Sequence, residues 1–352
     1  MNKLSVLFNV IKIALCINIY YNNFMKALIL AAGKGTRLYP ATKSTPKPLM
    51  PLAGRETLCY IIDEIIENNI NEIGIVVSNE NENEISSFIK KNYPKSNILT
   101  IVQHDQLGVA HAVKISKHFI DRDNFILYLG DNLFENGINK LINEFQDTNN
   151  NIISLKSVDD PRKFGVAEID NDGKLLSIIE KPNNPKTSLA VAGIYGFKNK
   201  IFDYIQDIKI SERGEYEITD AIKLSLNSSE HIHTQIIDGW WIDTGNLNDF
   251  LKANAIKIKN TKNIDKALSS FYNSQIYENC FVMKNSIIEN SVIKKYSSIG
   301  NNVKILNSEI ENSIILDYCD IQNYKLKNCI VSKQTTLVNP GSNMKIIENK
   351  II

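Results

Sequence analysis

The stretch from Leu28 to Pro51 reads LILAAGKGTRLYPATKSTPKPLMP. Its apolar beginning predicts a short buried strand, which ends at a turn that contains Gly33 and Gly35. A glycine-rich turn directly after a strand presents backbone N–H groups to a bound anion. Arg37 and Lys47 add two positive charges beside this turn. The stretch therefore predicts a polyphosphate site at the end of the first strand.

Two better-known nucleotide motifs do not fit this turn. The P-loop needs four residues between its glycines, whereas only Lys34 separates Gly33 from Gly35. The dinucleotide-binding pattern needs a third glycine where Leu38 stands, which disfavours a Rossmann oxidoreductase. Taken alone, a Gly-Lys-Gly turn is better explained as an ordinary tight turn.

The full stretch is much more specific. The pattern A-A-G-x-G-T-R-L-x-P followed by T-P-K-P-L-x-P resembles the signature of the sugar-1-phosphate nucleotidylyltransferases, and most of all that of the long type of glucose-1-phosphate thymidylyltransferase. The resemblance extends from about Met25 to Val338. It implies an α/β fold, in which a Rossmann-like nucleotidyltransferase domain with a mixed sheet precedes a C-terminal left-handed parallel β-helix.

Composition narrows the class of protein. The 352 residues include 40 Lys and Arg against 39 Asp and Glu, and no basic block is interleaved with aromatic residues, so a nucleic-acid partner is not expected. The five cysteines show neither CxxC nor Cys/His ligand spacing. This scatter indicates free thiols in a reducing compartment, and we expect a cytoplasmic protein.

The first 24 residues form a separate problem. The apolar run from Leu4 to Tyr21 is interrupted by two asparagines and a lysine. It therefore matches neither the apolar region of a signal peptide nor a membrane span. We interpret residues 1–24 as a non-native extension, with Met25 as the working start and no membrane partner.

The pattern of elements predicts the domain organisation. Strands alternate with helices from Lys26 to Leu129, which favours a parallel, doubly wound sheet that binds ligands beyond the carboxyl ends of its strands. From Asn151 onward, shorter strands predict a mixed half of the same domain. The predicted divisions are a nucleotidyltransferase domain at 25–258, a linker at 259–273, a left-handed β-helix at 274–338 and a tail at 339–352.

The β-helix prediction depends on a repeat. A small residue precedes an aliphatic residue by two positions, as in Ser286/Ile288 and Ser291/Ile293, and successive aliphatics are five or six residues apart. This resembles the hexapeptide repeat of left-handed β-helices. The repeat contains no histidine that could act as an acyltransferase base. All implied site residues precede Leu247, so we expect the β-helix to serve subunit contact, including a homo-oligomer, or regulation.

Two polar positions follow predicted strands. Gln103 offers both a donor and an acceptor, so it can pair with the imide edge of thymine or uracil, although it is equally consistent with a polar strand end. Asp131 in L-G-D-N could be a helix cap or a magnesium ligand. The resemblance implies base recognition by Gln103 with Gly108, and metal binding by Asp131.

A second carboxylate, Asp243, lies in W-I-D-T-G. It is 112 positions from Asp131, so only the fold can bring the two together. The resemblance implies that both hold Mg²⁺. The nucleotide-binding residues that it implies are Leu30, Ala32, Gly33, Gly35, Thr36, Arg37, Gln103, Gly108 and Asp131. The sugar-phosphate-binding residues that it implies are Gly165, Glu180, Lys181, Val191 and Arg213, with Gly193 beside them.

The implied reaction is a Mg²⁺-dependent transfer of dTMP from dTTP to glucose 1-phosphate, with release of pyrophosphate. The attacking phosphate is already anionic, so catalysis needs alignment and charge neutralisation rather than a general base. The resemblance implies three catalytic residues, namely Arg37 at the departing pyrophosphate, Lys47 at the nucleotide phosphates and Lys181, together with Arg213, at the sugar phosphate.

Two alternatives stay open. Thymidylyltransferases often have Gln after the signature lysine, whereas Pro48 follows Lys47 here, as in uridylyl- and guanylyltransferase relatives. A UTP–glucose-1-phosphate uridylyltransferase is therefore the second candidate. A non-catalytic scaffold of the same architecture is a third, and the joint presence of the charged site residues argues against it.

Because the first strand starts directly after Met25, we predict that a protein beginning at Met25 is soluble and fully active. The measurement is specific activity and membrane association of the two chain lengths. Activity or membrane association that depends on residues 1–24 would contradict the interpretation of that segment.

Overall fold

The computed structural model describes residues 25–259, 269–341 and 343–352. The predicted extension at 1–24 and most of the predicted linker, residues 260–268, lie outside the described residues.

The first domain alternates strands and helices, as the sequence predicts. Its strands are β1 (Met25–Leu30), β2 (Pro51–Leu52), β3 (Arg55–Glu56), β4 (Glu72–Val77), β5 (Asn97–Val102), β6 (Asn124–Leu129), β7 (Asn132–Phe134), β8 (Asn151–Ser157), β9 (Gly165–Ile169), β10 (Leu175–Glu180), β11 (Leu189–Phe197), β12 (Ile232–Ile236) and β13 (Trp241–Asp243). Its helices are α1 (Ala41–Ser44), α2 (Thr57–Glu67), α3 (Glu82–Asn92), α4 (Val109–Ile115), α5 (Lys117–Ile120), α6 (Asn139–Thr148), α7 (Ile201–Asp207), α8 (Ile218–Asn227) and α9 (Leu247–Lys259). Short 3-10 turns occur at Thr36–Leu38, Lys47–Leu49 and Pro161–Lys163.

The central sheet is mixed, which confirms the predicted fold. Its order is β10-β9-β11-β6-β1-β4-β5, and β8 pairs with β11 and β12. Strand β1 is parallel to β4 and β6, whereas β11 is antiparallel to β6, β8 and β9. The carboxyl ends of β1, β4 and β6 therefore meet at one edge, which is where ligands bind in such sheets.

The sheet is buried on both faces. Alternate residues of a strand point to opposite faces, so Leu28 and Ile29 belong to different apolar clusters. The Ile29 cluster includes Ile61 and Ile65 of α2, and the Leu28 cluster includes Ile222 of α8. Helices cover both sides, and the glycine turn after β1 emerges from a rigid core.

A short antiparallel ribbon extends from the end of β6. Strand β7 pairs with β13, and the register places Asn132 opposite Asp243. The Thr244 N–H and hydroxyl both donate to the Asp131 carbonyl, at 2.8 and 2.9 Å. This ribbon brings together the two carboxylates that are far apart in the chain.

The second module is a β-helix with three parallel sheets. Its strands are β14 (Ser270–Tyr272), β15 (Gln275–Ile276), β16 (Phe281–Val282), β17 (Ile287–Glu289), β18 (Val292–Ile293), β19 (Ser298–Ile299), β20 (Lys304–Leu306), β21 (Glu309–Glu311), β22 (Ile314–Ile315), β23 (Asp320–Gln322), β24 (Tyr324–Lys327), β25 (Ile330–Val331), β26 (Thr336–Val338) and β27 (Lys345–Glu348). Every third strand pairs with the next, in the sets β14-β17-β20-β23-β26, β15-β18-β21-β24-β27 and β16-β19-β22-β25. The left-handed β-helix predicted from the repeat is thereby confirmed.

The small-residue and aliphatic positions pack as the repeat predicts. Ile288, Ile293 and Ile305 are fully buried inside the coil, and Ser286 and Ser297 are buried beside them. The corners of the coil are not part of the repeat identified in the sequence. Most of them are asparagines with positive φ, a conformation that Asn tolerates better than most residues. These asparagines are Asn273, Asn279, Asn285, Asn290, Asn302, Asn307, Asn312, Asn323, Asn328 and Asn349.

The predicted ends of the β-helix are wrong at both termini. Strand β14 lies inside the predicted linker at 259–273 and pairs with β17. Strand β27 lies inside the predicted tail at 339–352 and pairs with β24. The terminal coils depart from the repeat, since Phe271 replaces an aliphatic residue in the first and Lys345 precedes the inward Ile347 in the last. The described part of the β-helix therefore starts at residue 270 and continues to the last coil.

One face of the β-helix packs on the first domain. Phe281, Ser298, Ile314 and Ile330 are paired in register on the third sheet, each directly before an inward residue. Ile314 and Ile330 belong to the same buried cluster as Ile29 of β1. The outward face of the β-helix therefore belongs to a core cluster of the first domain, whereas the inside of the coil forms a cluster of its own. Within the residues described, no helix has the length and apolar character needed to cross a bilayer.

A buried carboxyl on α2 makes stability depend on pH. Burial raises the pKa of Glu64 to about 7, although the Tyr128 hydroxyl donates to it at 3.1 Å and the Lys257 ammonium is nearby. The folded chain therefore keeps a proton that the unfolded chain, with an ordinary pKa of 4.5, releases. Glu64 contributes stability that is present below pH 4.5 and is lost as the pH rises to about 7.

We predict that Glu64→Gln removes this decline, which amounts to about 3 kcal/mol in total. The measurement is urea unfolding of wild type and variant between pH 4.5 and 8. Glu84→Gln, a change at an exposed position on α3, is the control and should leave the decline intact. Parallel curves for wild type and Glu64→Gln would contradict the assignment.

Candidate active site

The glycine turn lies at the carboxyl end of β1 and is open to solvent. Gly33 has free space around its Cα, and Gly35 adopts φ +63° with the Lys47 side chain against it. Leu30 ends the strand, and Thr36 begins the 3-10 turn that carries Arg37. An unobstructed backbone at Gly33 is what close approach of a phosphate requires.

Two side chains that the sequence analysis does not single out hold this turn. The Gln106 amide donates to the carbonyl of Ala32 at 2.8 Å, and the Asn81 amide donates to the carbonyl of Ala31 at 3.0 Å. Both come from the ends of neighbouring strands. They fix the turn from the side of the sheet, and only the tertiary structure reveals them.

The two predicted cations and the two predicted carboxylates form one cluster. Lys47 Nζ lies 2.6 Å from Asp131 Oδ2 in a partly buried ion pair. Arg37 lies on the other side, because a Cβ placed on Gly245 would be 2.5 Å from Arg37 Nη2 and 2.9 Å from Asp243 Oδ1. Gly245 therefore has to lack a side chain for the guanidinium and the Asp243 carboxylate to be neighbours.

The charges in this cluster are unevenly compensated. Burial would raise the pKa of Asp131, but the Lys47 ammonium outweighs it and the pKa lies below its ordinary value. Burial, together with the Asp131 charge, raises the pKa of Asp243 to about 6. Asp243 Oδ1 is buried and accepts no hydrogen bond. Burying a carboxylate oxygen without a hydrogen-bond partner costs free energy, so a further positive group would stabilise this site.

The donor set fits a magnesium ion that is only partly held by protein. Asp131 and Asp243 supply hard oxygen ligands, and Asp243 Oδ1 has no competing partner. No group of three or more His, Cys, Asp or Glu side chains suited to a metal occurs in the described part of the chain. Mg²⁺ is usually bound by one or two carboxylates plus substrate phosphates, so two carboxylates are sufficient.

Asn132 orients this pair and was not among the predicted site residues. Its amide donates to Asp131 Oδ1 at 2.7 Å, and its carbonyl oxygen accepts from Trp241 Nε1 at 2.6 Å. A Cβ on Gly193 of β11 would be 2.8 Å from Asn132 Cγ, so the Asn132 side chain packs directly on the Gly193 backbone. Phe164 lies against Trp241 at 5.0 Å between ring centroids.

Gln103 is buried at the end of β5. Its amide nitrogen donates to the carbonyl of Gly108 at 3.3 Å and lies 3.0 Å from His111 Nδ1. Gly108 has φ +99°, and a Cβ there would be 2.8 Å from the carbonyl oxygen of Tyr216. The structure thus places Gln103 and Gly108 together, and it adds His111 as the residue that orients the amide.

The predicted sugar-side residues also converge. Arg213 Nη1 lies 3.3 Å from Glu180 Oε1, Lys181 Nζ lies 3.8 Å from the same oxygen, and Thr219 donates to Oε2 at 3.2 Å. A Cβ on Gly165 would be 3.3 Å from both Glu180 Oε2 and Val191 Cγ2.

Strand β11 joins the two groups of residues, because Val191 lies beside Gly165 and Gly193, two residues later, lies against Asn132. Strand β11 therefore runs past both the Asn132 side chain and the pocket beside Gly165.

The comparisons with known proteins agree with this geometry. The model of the nucleotidyl transferase family matches residues 26–260. The low-salt glycan biosynthesis nucleotidyltransferase Agl11 of Haloferax volcanii is 38% identical over 237 residues, which are 67% of this chain and 66% of that protein. This chain thus spans slightly less than two thirds of the length of that relative.

Two further relatives are similar over most of their length. A glucose-1-phosphate thymidylyltransferase of Streptomyces antibioticus is 34% identical over 300 residues, which are 80% of this chain and 84% of that protein. A crystal structure of a Bacillus anthracis protein assigned as a glucose-1-phosphate thymidylyltransferase superposes with a TM-score of 0.62 at 36% identity, over 69% of this chain and 98% of that one. The resemblance drawn from the motifs is confirmed, and the chain belongs to the nucleotidyl transferase family.

Proposed function

We propose that this protein transfers dTMP from dTTP to glucose 1-phosphate, giving dTDP-glucose and pyrophosphate. The observation that carries the proposal is the cluster of Lys47, Asp131, Arg37 and Asp243 beside the open glycine turn. Such an arrangement of two cations and two carboxylates at a strand end suits a triphosphate bound together with a metal ion.

Asp131 and Asp243 are the residues that would hold Mg²⁺. When bound there, the ion would supply positive charge to the nucleotide phosphates and so favour displacement at the α-phosphorus. Its presence would also satisfy the buried Asp243 oxygen that has no protein partner.

The protein's own part in the reaction is alignment and charge neutralisation. An oxygen of the sugar phosphate attacks the α-phosphorus, the new P–O bond forms, and the bond to the β-phosphate oxygen breaks. No proton has to move, because the attacking oxygen is already anionic. Arg37 neutralises the pyrophosphate as it leaves, and Lys47 exchanges its contact with Asp131 for one with the nucleotide phosphates.

The sugar side is prepared by a charged group around Glu180. Glu180 accepts from Thr219 and Arg213, so its carboxylate is fixed where it can accept bonds from sugar hydroxyls. Lys181 has φ +41° and is held by a backbone bond from its N–H to the Phe164 carbonyl. A disfavoured conformation of this kind is often found at functional positions, and the Lys181 ammonium lies 3.8 Å from Glu180 Oε1, beside the place proposed for the sugar phosphate.

The choice of nucleotide depends on Gln103. Its amide can bond the imide edge that thymine and uracil share, and His111 holds that amide in place. The L-G-D-N and W-I-D-T-G strings favour thymine, whereas Pro48 after Lys47 is the feature that favours uracil. A UTP-dependent uridylyltransferase is therefore the second candidate.

We predict that, among all nucleotide and sugar-phosphate pairs, dTTP with glucose 1-phosphate gives the highest kcat/KM, followed by UTP. The measurement is pyrophosphate release in a matrix of four nucleotides and several hexose 1-phosphates. Faster turnover with CTP or ATP would contradict the role of Gln103. Release with no pair would favour the scaffold alternative.

We also predict that Asp131→Asn and Asp243→Asn each lower kcat by roughly 10²–10³, the usual loss when a charge-stabilising group is removed. Asp238→Asn, at an exposed carboxylate next to the ribbon, is the matched control and should retain activity. A double variant no slower than either single one is expected, because both carboxylates serve one site. Near-wild-type activity in either single variant would remove that residue from the site.

A further inference from the structure

The hairpin of β2 and β3 follows the Lys47 turn and has an unusual connection. Its two-residue turn, Ala53–Gly54, has φ +47° and +75°, which is the pattern of a type I′ hairpin. Gly54 adopts this conformation freely, but Ala53 carries a Cβ and is disfavoured there. A disfavoured residue persists only when its surroundings hold it in place.

Asn254 of α9 supplies that restraint. Its side chain is fully buried, and Asn254 Oδ1 accepts from the Ala53 N–H at 2.9 Å. The same oxygen accepts from the Ser298 hydroxyl at 2.8 Å, and Asn254 Nδ2 donates to the Tyr296 carbonyl at 3.1 Å. One amide therefore bonds the strained turn on one side and the β-helix on the other.

The β-helix also fills the space over the second turn residue. A Cβ on Gly54 would lie 1.8 Å from Phe281 Cε1, so the ring rests directly on the glycine backbone. Phe281 and Ser298 are register partners on the face of the β-helix that packs on the first domain. The hairpin is consequently clamped between that face and α9.

Only a few residues separate the clamp from the site. Lys47 opens the 3-10 turn at Lys47–Leu49, and Met50 follows as a fully buried residue. The Met50 carbonyl accepts from both the N–H and the hydroxyl of Thr57. From Met50 to Thr57 the backbone thus forms a closed loop, and its far end is the Ala53–Gly54 turn.

We propose that Asn254, together with Ser298 of the β-helix, is a positioning residue that, through the β2–β3 hairpin, keeps the Lys47 backbone where its ammonium can reach Asp131 and the phosphate site. The β-helix would then help to build the active site, which differs from the expectation that it serves only assembly or regulation. The proposal rests on the proposed function insofar as Lys47 is taken to act on the nucleotide phosphates.

The variants of choice are Ser298→Ala, which removes one bond to Asn254, and Asn254→Ala, which removes all three. Ser313→Ala is the matched control, because the hydroxyl of this buried serine bonds the Glu311 carbonyl and the Cys329 N–H within the β-helix, and the backbone bond from the Ser298 N–H to the Ser313 carbonyl is kept in the variant. Ser298→Ala keeps the test valid if Asn254→Ala does not fold.

The first measurement does not need activity. Hydrogen–deuterium exchange of peptides that cover residues 45–57 should become faster in Ser298→Ala and stay at the wild-type rate in Ser313→Ala. Unchanged exchange in Ser298→Ala would overturn the clamp. If the wild type turns over no substrate pair, the proposed function fails by itself, and this exchange experiment still decides whether the clamp exists.

The second measurement separates positioning from general destabilisation. Ser298→Ala should lower kcat by about tenfold, within the loss of up to about 10²-fold that a small displacement of a catalytic group can cause. In a Lys47→Ala background the same substitution should have no further effect, because it acts through that lysine. Equal losses in both backgrounds, or no loss in kcat despite faster exchange, would overturn the positioning role.

Discussion

Two partly buried carboxylates that lie side by side cannot both remain charged without nearby positive charge, and the site is arranged around this constraint. The β7–β13 ribbon holds Asp131 and Asp243 together, and Lys47 forms its ion pair with Asp131 and offsets the charge of Asp243 only in part. The raised pKa of Asp243 and its oxygen without a hydrogen-bond partner reflect the remaining deficit. Two further features of the site are explained by this deficit of positive charge. The open glycine turn admits phosphates that come with a metal ion, and Arg37 is the cation next to Asp243.

The sequence predicts the residues of this site better than it predicts how they meet. The glycine turn, Lys47 and both aspartates lie in short sequence motifs, and each motif can be recognised from the residues next to it in the chain. The contact between Asp131 and Asp243 depends on two three-residue strands, which are too short to show any periodicity. The supporting residues Asn132, Gln106 and His111 act through single side-chain bonds, and no pattern in the sequence distinguishes them from ordinary polar residues.

The β-helix shows the same division. Its inward positions follow a regular ladder, so its existence and period are predictable from the chain. Its ends are not, because Phe271 of β14 takes the place of an aliphatic residue and Lys345 of β27 stands where the ladder has a small one. The outward residues Ser298, Ile314 and Ile330 are adjacent in space but 16 residues apart in sequence. Their common face therefore cannot be recognised before the course of the coil is known. The sequence does contain two pairs of adjacent aliphatic residues, Ile314–Ile315 and Ile330–Val331, in which one residue faces inward and the other outward.

This outward face explains why a chain would keep two modules in contact. Nucleotidyl transfer without a general base depends on placing fixed charges accurately, so small displacements of Lys47 matter. The turn that follows Lys47 is short, contains a disfavoured conformation at Ala53, and is held by Asn254 from 201 positions away. A stack of parallel coils is a rigid support for such a turn, since each coil is bonded to its neighbours along three sheets. The rigidity of the β-helix would therefore fix the turn that follows Lys47, and it would provide the accuracy of placement that the phosphate site requires.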